Sequence, residues 1–257
     1  MRFCPQTAKV SLENEKGNLE VKATVEKKQV EQATEKEPSA LQQFIERNQK
    51  AINIGAGAVI LLVALIFVIR YFVLKSEEEK EIKASVAISR ILPYIENAQY
   101  ELALRGDKTK KVRGEEVIGL VDIVRKYKGV APSYVAALYA GNCYLQLEKY
   151  SDAVEYFKLA LDSKSNIVLE GATAGLGVAY ESMGNFQEAI KYYEMASRYA
   201  LPIGVKDRYL FFQALCFEKI GEKKKAEKLY RTIIGDNQSE FVNEAKAGLV
   251  RLGTIIE

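Results

Sequence analysis

The chain has 257 residues, a formal net charge of +3 and no histidine. The small charge, with basic residues interleaved with glutamates, argues against a nucleic-acid-binding surface. The absence of histidine removes the commonest general base and the commonest metal ligand, so we expect no catalytic site, metal site, cofactor or small-molecule substrate.

Two segments precede the first long apolar stretch. Residues 1–38 are rich in Glu, Lys, Gln and Thr and contain few large apolar side chains, a composition that predicts a disordered polar head. After Ser39, a possible N-cap, the side chains of Leu41, Phe44 and Ile45 share one helical face. We therefore expect residues 39–75 to form an interfacial helix and a membrane anchor.

The stretch from residue 51 to residue 69 contains no charged side chain. Nineteen residues at 1.5 Å per residue extend about 28 Å, which matches a hydrocarbon core of roughly 30 Å. Arg70 can reach the headgroups, and Tyr71 suits the membrane interface. The pattern predicts a single transmembrane helix that contacts the membrane over residues 51–74.

Charges that flank the predicted span bear on its orientation. Three basic residues lie before the span and five lie after it: Lys36, Arg47 and Lys50, then Arg70, Lys75, Lys80, Lys83 and Arg90. The positive-inside rule by itself places the larger C-terminal part in the cytoplasm. The excess is small, so charge leaves the orientation open.

Residues 76–131 are expected to form linker helices that resemble a degenerate first repeat. A helix is predicted from Ser76, and Pro93 is expected to kink or split it before a second piece over residues 94–104, because proline lacks the amide hydrogen that a helix interior needs. A basic loop over residues 105–114 and a helix over residues 115–127 are predicted to follow.

The second half of the chain repeats itself at a spacing of 36 or 37 residues. Small and aromatic residues recur at fixed positions, which is typical of stacked helix pairs. The predicted first (A) helices cover residues 132–147, 168–183 and 206–220, the second (B) helices cover 151–162, 186–199 and 223–234, and a capping helix covers 240–251. The repeated positions are Gly141, Tyr144, Ala153, Phe157 and Ala160; Gly177, Tyr180, Ala189, Tyr193 and Ala196; and Ala214, Phe217, Ala226, Tyr230 and Ile233.

These units resemble tetratricopeptide repeats, whose pattern the second unit matches at Gly177, Tyr180, Gly184, Ala189 and Tyr193. The resemblance implies an all-α fold, in which the single transmembrane helix is followed by an α-solenoid over residues 132–257. It also implies a protein-binding groove on the A helices. We expect this groove to bind extended apolar segments, unless upstream helices fill it, and its residues are Leu138, Asn142, Leu145, Ala174, Val178, Glu181, Arg208, Phe211, Leu215 and Glu218.

A second resemblance covers the anchor. Residues 44–50, the uncharged stretch, residues 70–72 and residues 102–107 are similar to the ancillary SecYEG translocon subunit (YfgM-type) family. This implies a single-pass protein of the inner (cytoplasmic) membrane with periplasmic repeats. It would be an adaptor or chaperone-like accessory whose partners are translocon subunits, periplasmic chaperones or exported chains. The alternative is a cytoplasm-facing scaffold that recruits partners to a membrane complex.

Two further patterns are expected to be structural. Cys143 and Cys216 are predicted to be unpaired and buried, because stacked repeats place them too far apart for a disulfide. Gly171, Gly175 and Gly177 are interpreted as sites of close helix packing, since they lack the strand that precedes a nucleotide-binding loop.

Overall fold

The computed structural model of the protein describes residues 39–112, 114–201, 203–236 and 239–254. The predicted disordered head, residues 1–38, lies outside the described residues. The chain divides into two compact units, Met1–Tyr71 and Phe72–Glu257.

A single long helix, α1, covers Ala40–Glu96. It replaces three expected pieces, since the interfacial helix, the span and the helix from Ser76 are continuous. Its most apolar 18-residue window has a mean hydropathy of 2.8 and no buried residue. Among the described residues, this helix alone has the length and composition to cross a membrane.

Of the two effects expected at Pro93, a kink or a split, the split is wrong. Helix α1 contains Pro93 and ends three residues later, at Glu96. Ala98 then adopts a positive φ of 55°, and the amide of Gln99 donates to the carbonyl of Tyr94 at 2.8 Å. This left-handed turn, rather than the proline, ends the helix. A short helix, α2, follows at Tyr100–Arg105.

A two-stranded antiparallel hairpin occupies part of the chain where a loop and a helix were predicted. Strand β1 covers Gly106–Val112 and strand β2 covers Glu115–Ile118; helix α3 begins only at Leu120 and ends at Lys126. The helix prediction over residues 115–127 is therefore wrong in its first part.

Two glycines explain why the hairpin forms. A Cβ atom on Gly106 would lie 2.4 Å from the carbonyl oxygen of Val117, and a Cβ on Gly119 would lie 2.2 Å from that of Leu104. Only glycine permits backbone segments to come this close. Val117, which lies in the segment predicted as a helix, is buried and belongs to strand β2 instead.

Three helix pairs and a closing helix form the rest of the second unit, and their limits agree with prediction to within three residues. The all-α prediction is confirmed, with the hairpin as the addition. The pairs are α4 (Ala131–Gln146) with α5 (Tyr150–Ala160), α6 (Asn166–Ser182) with α7 (Phe186–Tyr199), and α8 (Ile203–Lys219) with α9 (Lys223–Ile234); α10 covers Val242–Leu252.

Aromatic rings on the B helices fill the space between the A helices. Phe157 is fully buried, and Cβ atoms built on Gly141 and Gly175 would lie 2.6 Å and 2.3 Å from its ring. A Cβ on Gly177 would likewise lie 2.6 Å from the ring of Tyr193. Small residues therefore let the helices approach and the rings close the gaps, which confirms the packing role predicted for these glycines.

The C-terminal end of α1 has the same backbone turn as the ends of the A helices. Glu148, Gly184 and Gly221 adopt the same positive-φ turn as Ala98. Aligned on that turn, the buried residues Ile91, Tyr94 and Ala103 of α1 and α2 fall at the small or aromatic positions of the repeat. The corresponding turn bonds run from the amides of Gln99, Lys149, Asn185 and Glu222 to the carbonyls of Tyr94, Tyr144, Tyr180 and Phe217.

Residues 84–96 of α1, together with α2, thus share the turn and the buried positions of the repeats that follow. Ala84, Ile88 and Ile91 pack in one core with Ala136 and Ala140 of α4. The ammonium of Lys149 also lies 2.6 Å from a carboxylate oxygen of Glu101. The repeat core begins within α1 rather than after it.

Candidate protein-binding surface

The ten predicted groove residues lie on three successive A helices, α4, α6 and α8. We call them the A-helix face. Three are exposed, seven are half-buried and none is fully buried, so upstream helices leave this face accessible. The exposed residues are Asn142, Val178 and Arg208, and the half-buried ones are Leu138, Leu145, Ala174, Glu181, Phe211, Leu215 and Glu218.

The apolar part of the A-helix face is only loosely covered. Val178 is 40% exposed. Leu138 lies against the next A helix, because a Cβ built on Gly171 would be 3.1 Å from its Cδ2 atom. Leu145 rests on the core that contains Phe157. These side chains are held in place by packing and still present apolar surface.

The side chain of Phe211 is held in place by three aromatic neighbours. Its ring centroid lies 5.5 Å from that of Phe241 and 6.0 Å from those of Phe212 and Tyr230. Such tilted aromatic pairs stabilise a core beyond the area they bury. Phe211 therefore supports the closing helix as well as contributing to the face.

Two carboxylates of the face are bound by tyrosines of the B helices. The hydroxyl of Tyr193 donates to Oε2 of Glu181 at 2.5 Å. The hydroxyl of Tyr230 donates to Glu218, which also lies 3.0 Å from the guanidinium of Arg251. Burial, followed by the bond to the carboxylate, raises the pKa of both tyrosines above the ordinary value. These carboxylates therefore have internal partners already.

The remaining charged residue of the face, Arg208, forms a 3.4 Å ion pair with Glu240. Both side chains are largely exposed, and surface pairs of this kind contribute little to stability. Arg208 therefore remains available to a partner.

Other chemistry is sparse in the described part of the chain. No group of three or more His, Cys, Asp or Glu residues there is arranged to hold a metal ion. Cys143 and Cys216 are free and buried, as predicted. Burial raises the pKa of the two thiols to about 11 and about 12, so neither is a thiolate nucleophile at neutral pH.

Sequence reasoning missed one further surface, because it counted A helices only from residue 132. Residues 77–88 of α1, the loop and helix start at 129–135, and residues 162–168 line a groove of about 1200 Å³. We call it the α1 groove. The alignment of Ala98 with Gly184 was the signal that could have revealed the additional A helix.

Comparison with known sequences agrees with this geometry. Residues 140–167 and 172–202 each match the Tetratricopeptide repeat family. The two matches contain the B helices α5 and α7 with adjoining parts of the A helices. The chain contains tetratricopeptide repeats.

A longer protein shows a weaker likeness. The chain is similar to human "Intraflagellar transport protein 88 homolog", with 23% identity over 122 residues. The match covers 46% of this chain and 14% of that protein. The chain thus spans about one seventh of the relative, and the likeness carries no conclusion about its activity or partners.

Proposed function

We propose that the protein is a membrane-anchored tetratricopeptide protein that binds other proteins through its A-helix face. The observation that carries the proposal is that all ten residues of this face remain accessible on three successive A helices. Stacked repeats of this type present extended binding surfaces.

The chemistry of the face favours an apolar partner segment. Val178 and the half-buried Leu138 and Leu215 offer apolar surface, while Glu181 and Glu218 are already bound by tyrosines. Extended chains are recognised by pockets for their side chains. The partner is a protein segment with apolar side chains rather than a charged chain terminus.

The anchor is residues 51–74 of α1, in a single pass through an inner (cytoplasmic) membrane. Its support is the length and hydropathy of α1 and the complete exposure of its apolar window. A helix that is apolar around its whole circumference without protein cover needs an apolar solvent.

Similarity of the anchor region to YfgM-type subunits supports a more specific role. In this role the repeats are periplasmic, and the protein is an adaptor or chaperone-like accessory of the Sec translocon that acts on exported proteins. Its partners are then translocon subunits, periplasmic chaperones or exported chains. The likeness lies in residues 44–50, 70–72 and 102–107.

A second candidate is a cytoplasm-facing scaffold that recruits partners to a membrane complex. The excess of basic residues after the uncharged stretch 51–69, from Arg70 to Arg90, favours this orientation.

Topology separates the two candidates. We would fuse alkaline phosphatase, which is active only when exported, or green fluorescent protein, which fluoresces only when it folds in the cytoplasm, after Glu257. Phosphatase activity without fluorescence supports the translocon role. Fluorescence without phosphatase activity excludes it and leaves the scaffold.

Binding by the A-helix face can be tested by photocrosslinking in native membranes. A benzoylphenylalanine at Val178 should crosslink to a translocon subunit, a periplasmic chaperone or an exported chain. The matched control is the same residue at Val250, which is 64% exposed on α10, outside the face. Equal crosslinking from both positions would contradict a specific role of the face. Phe211 is unsuitable as a probe site because of its aromatic neighbours.

A further inference from the structure

The α1 groove is a second concave surface beside the A-helix face. Its volume of about 1200 Å³ exceeds the range of about 300–1,000 Å³ that is usual for small-molecule pockets. One wall is α1, and the opposite wall contains the starts of α4 and α6. A groove between helices of this size suits a segment of polypeptide better than a small ligand.

Apolar side chains of α1 face the groove without cover from the rest of the chain. Ile82 is 57% exposed and Val86 is 41% exposed, whereas Ala84 and Ala87 on the same helix are buried in the repeat core. On the opposite wall Val135 is half-buried and Val168 is buried, so the exposed apolar surface of the groove lies mainly on α1. An exposed apolar strip of this kind marks an interaction site.

Acidic residues predominate among the charged residues that line the α1 groove itself. Glu77, Glu81 and Asp162 line the groove, against a single basic residue, Lys164. None of the three carboxylates forms an ion pair with another described residue, although eleven such pairs are found elsewhere in the described chain. The lining therefore holds three carboxylates against one ammonium, an excess of negative charge.

We propose that the α1 groove binds a segment of a partner protein that combines apolar side chains with basic ones. The inference rests on the proposed function, since it names the chemistry of a partner segment. Apolar side chains of the segment cover Ile82 and Val86, and its lysines or arginines face Glu77, Glu81 and Asp162. Charge complementarity sets the choice of partner, and apolar contact supplies most of the affinity.

A negatively charged partner segment would bind the α1 groove poorly. An acidic segment would place like charges beside Glu77 and Glu81 in a partly enclosed groove, where repulsion is stronger than in bulk water. A polar basic segment would satisfy the carboxylates but would leave Ile82 and Val86 exposed to water. The groove thus requires both properties in one segment.

The test uses the full-length protein in nanodiscs of phosphatidylcholine, a lipid without net charge. The probes are three fluorescein-labelled decapeptides: alternating leucine and lysine, alternating leucine and glutamate, and alternating serine and lysine. Fluorescence anisotropy measures binding, with empty nanodiscs as the blank. We expect the leucine–lysine peptide to bind at least tenfold more tightly than either of the others.

A pair of double variants locates the binding. Glu77→Lys with Glu81→Lys should weaken the leucine–lysine peptide about tenfold. Glu78→Lys with Glu79→Lys changes the charge of α1 by the same amount, but neither residue lines the groove, so binding should change less than twofold. Ile82→Ser should also weaken binding, because it removes an apolar contact with the peptide. Ile82 is 57% exposed, so this replacement should not unfold the helix.

Three results would overturn the proposal. They are equal binding of the leucine–glutamate or serine–lysine peptide, equal loss in the two double variants, and absence of binding by all three peptides. The proposed function fails separately: equal crosslinking from Val178 and Val250 contradicts it, whatever the peptides do. If crosslinking from Val178 is specific while the Glu77/Glu81 variant does not affect peptide binding, the A-helix face stands and the α1 groove does not.

Discussion

The hydroxyl of Tyr193 lies 2.5 Å from Oε2 of Glu181 and joins the B helix of one repeat to its own A helix. The next repeat has the same pair, Tyr230 and Glu218. The preceding repeat replaces both members together, with Phe157 at the tyrosine position and Leu145 at the glutamate position. The hydroxyl and the carboxylate are thus gained or lost as a unit.

We predict that Tyr193→Phe destabilises the protein by about 1 kcal/mol, because the half-buried Glu181 loses its donor. Adding Glu181→Leu should recover most of this loss, since the pair then has the composition of the preceding repeat. Urea unfolding followed by circular dichroism in detergent measures both effects as a double-mutant cycle. Tyr192→Phe is the control, because Tyr192 is only half-buried and stacks on Tyr180 instead. A double variant less stable than Tyr193→Phe would contradict the coupling.

Alkaline pH should destabilise the repeats. Tyr193, Tyr230 and Tyr209 are buried, and each donates to a glutamate, so their pKa values are raised in the folded state. Below the unfolded value of about 10, these tyrosines are protonated in both states, and their contribution is fully present. Above it the unfolded chain loses these protons first, so stability falls by up to about 1.4 kcal/mol per pH unit for each tyrosine.

The pH effect is checked by urea unfolding between pH 8 and pH 11.5. Tyr193→Phe should reduce the slope above pH 10, whereas Tyr71→Phe, a change outside the repeats, should not. Absorbance at 295 nm should show that these tyrosines ionise only as the protein unfolds. A slope that is independent of Tyr193 would exclude this explanation.

Gly175→Ala should destabilise the protein by about 1–3 kcal/mol, because the added methyl group would lie 2.3 Å from the ring of the fully buried Phe157. Gly235→Ala is the matched control. Its Cβ would meet neighbouring atoms at an ordinary 3.5 Å, and its free energy of unfolding should change by less than about 0.5 kcal/mol. Equal effects would show that glycine is not required by close packing at residue 175.

Cys143 and Cys216 should resist alkylation in the folded protein. Both thiols are buried and have pKa values raised to about 11 and about 12, so access and thiolate fraction are low together. In a Cys4→Ser background, iodoacetamide at pH 8 should label neither residue until urea is added, as mass spectrometry would show. Labelling of the folded protein would mean that the repeats open locally.

The repeats were predictable from the sequence because each helix pair carries the same pattern of small and aromatic residues. Small residues such as Gly177 recur where helices approach, and aromatics such as Tyr193 recur where the gap must be filled. These requirements are local and identical in each pair. The limits of α7 and α9 therefore agree with prediction at both ends.

The hairpin could not be predicted, because it depends on contacts between residues that are far apart in the sequence. The hairpin forms because Gly106 lies against the backbone of Val117 and Gly119 against that of Leu104, and no periodicity reports such approaches. The internal bonds of Glu181 and Glu218 were missed for a different reason. The repeat pattern places these residues on the face but does not show that tyrosines twelve positions later bind them.

The core shared by α1 and α4 also determines where the chain can be shortened. Because Ala84, Ile88 and Ile91 of α1 pack with α4, a fragment that starts at Ser76 retains a complete core. A fragment that starts at Asn97 exposes Ala136 and Ala140. We expect the former to unfold cooperatively on heating and the latter to aggregate. The C-terminal part of α1 is thus a component of the repeat core, and the smallest stable fragment of the repeats must include it.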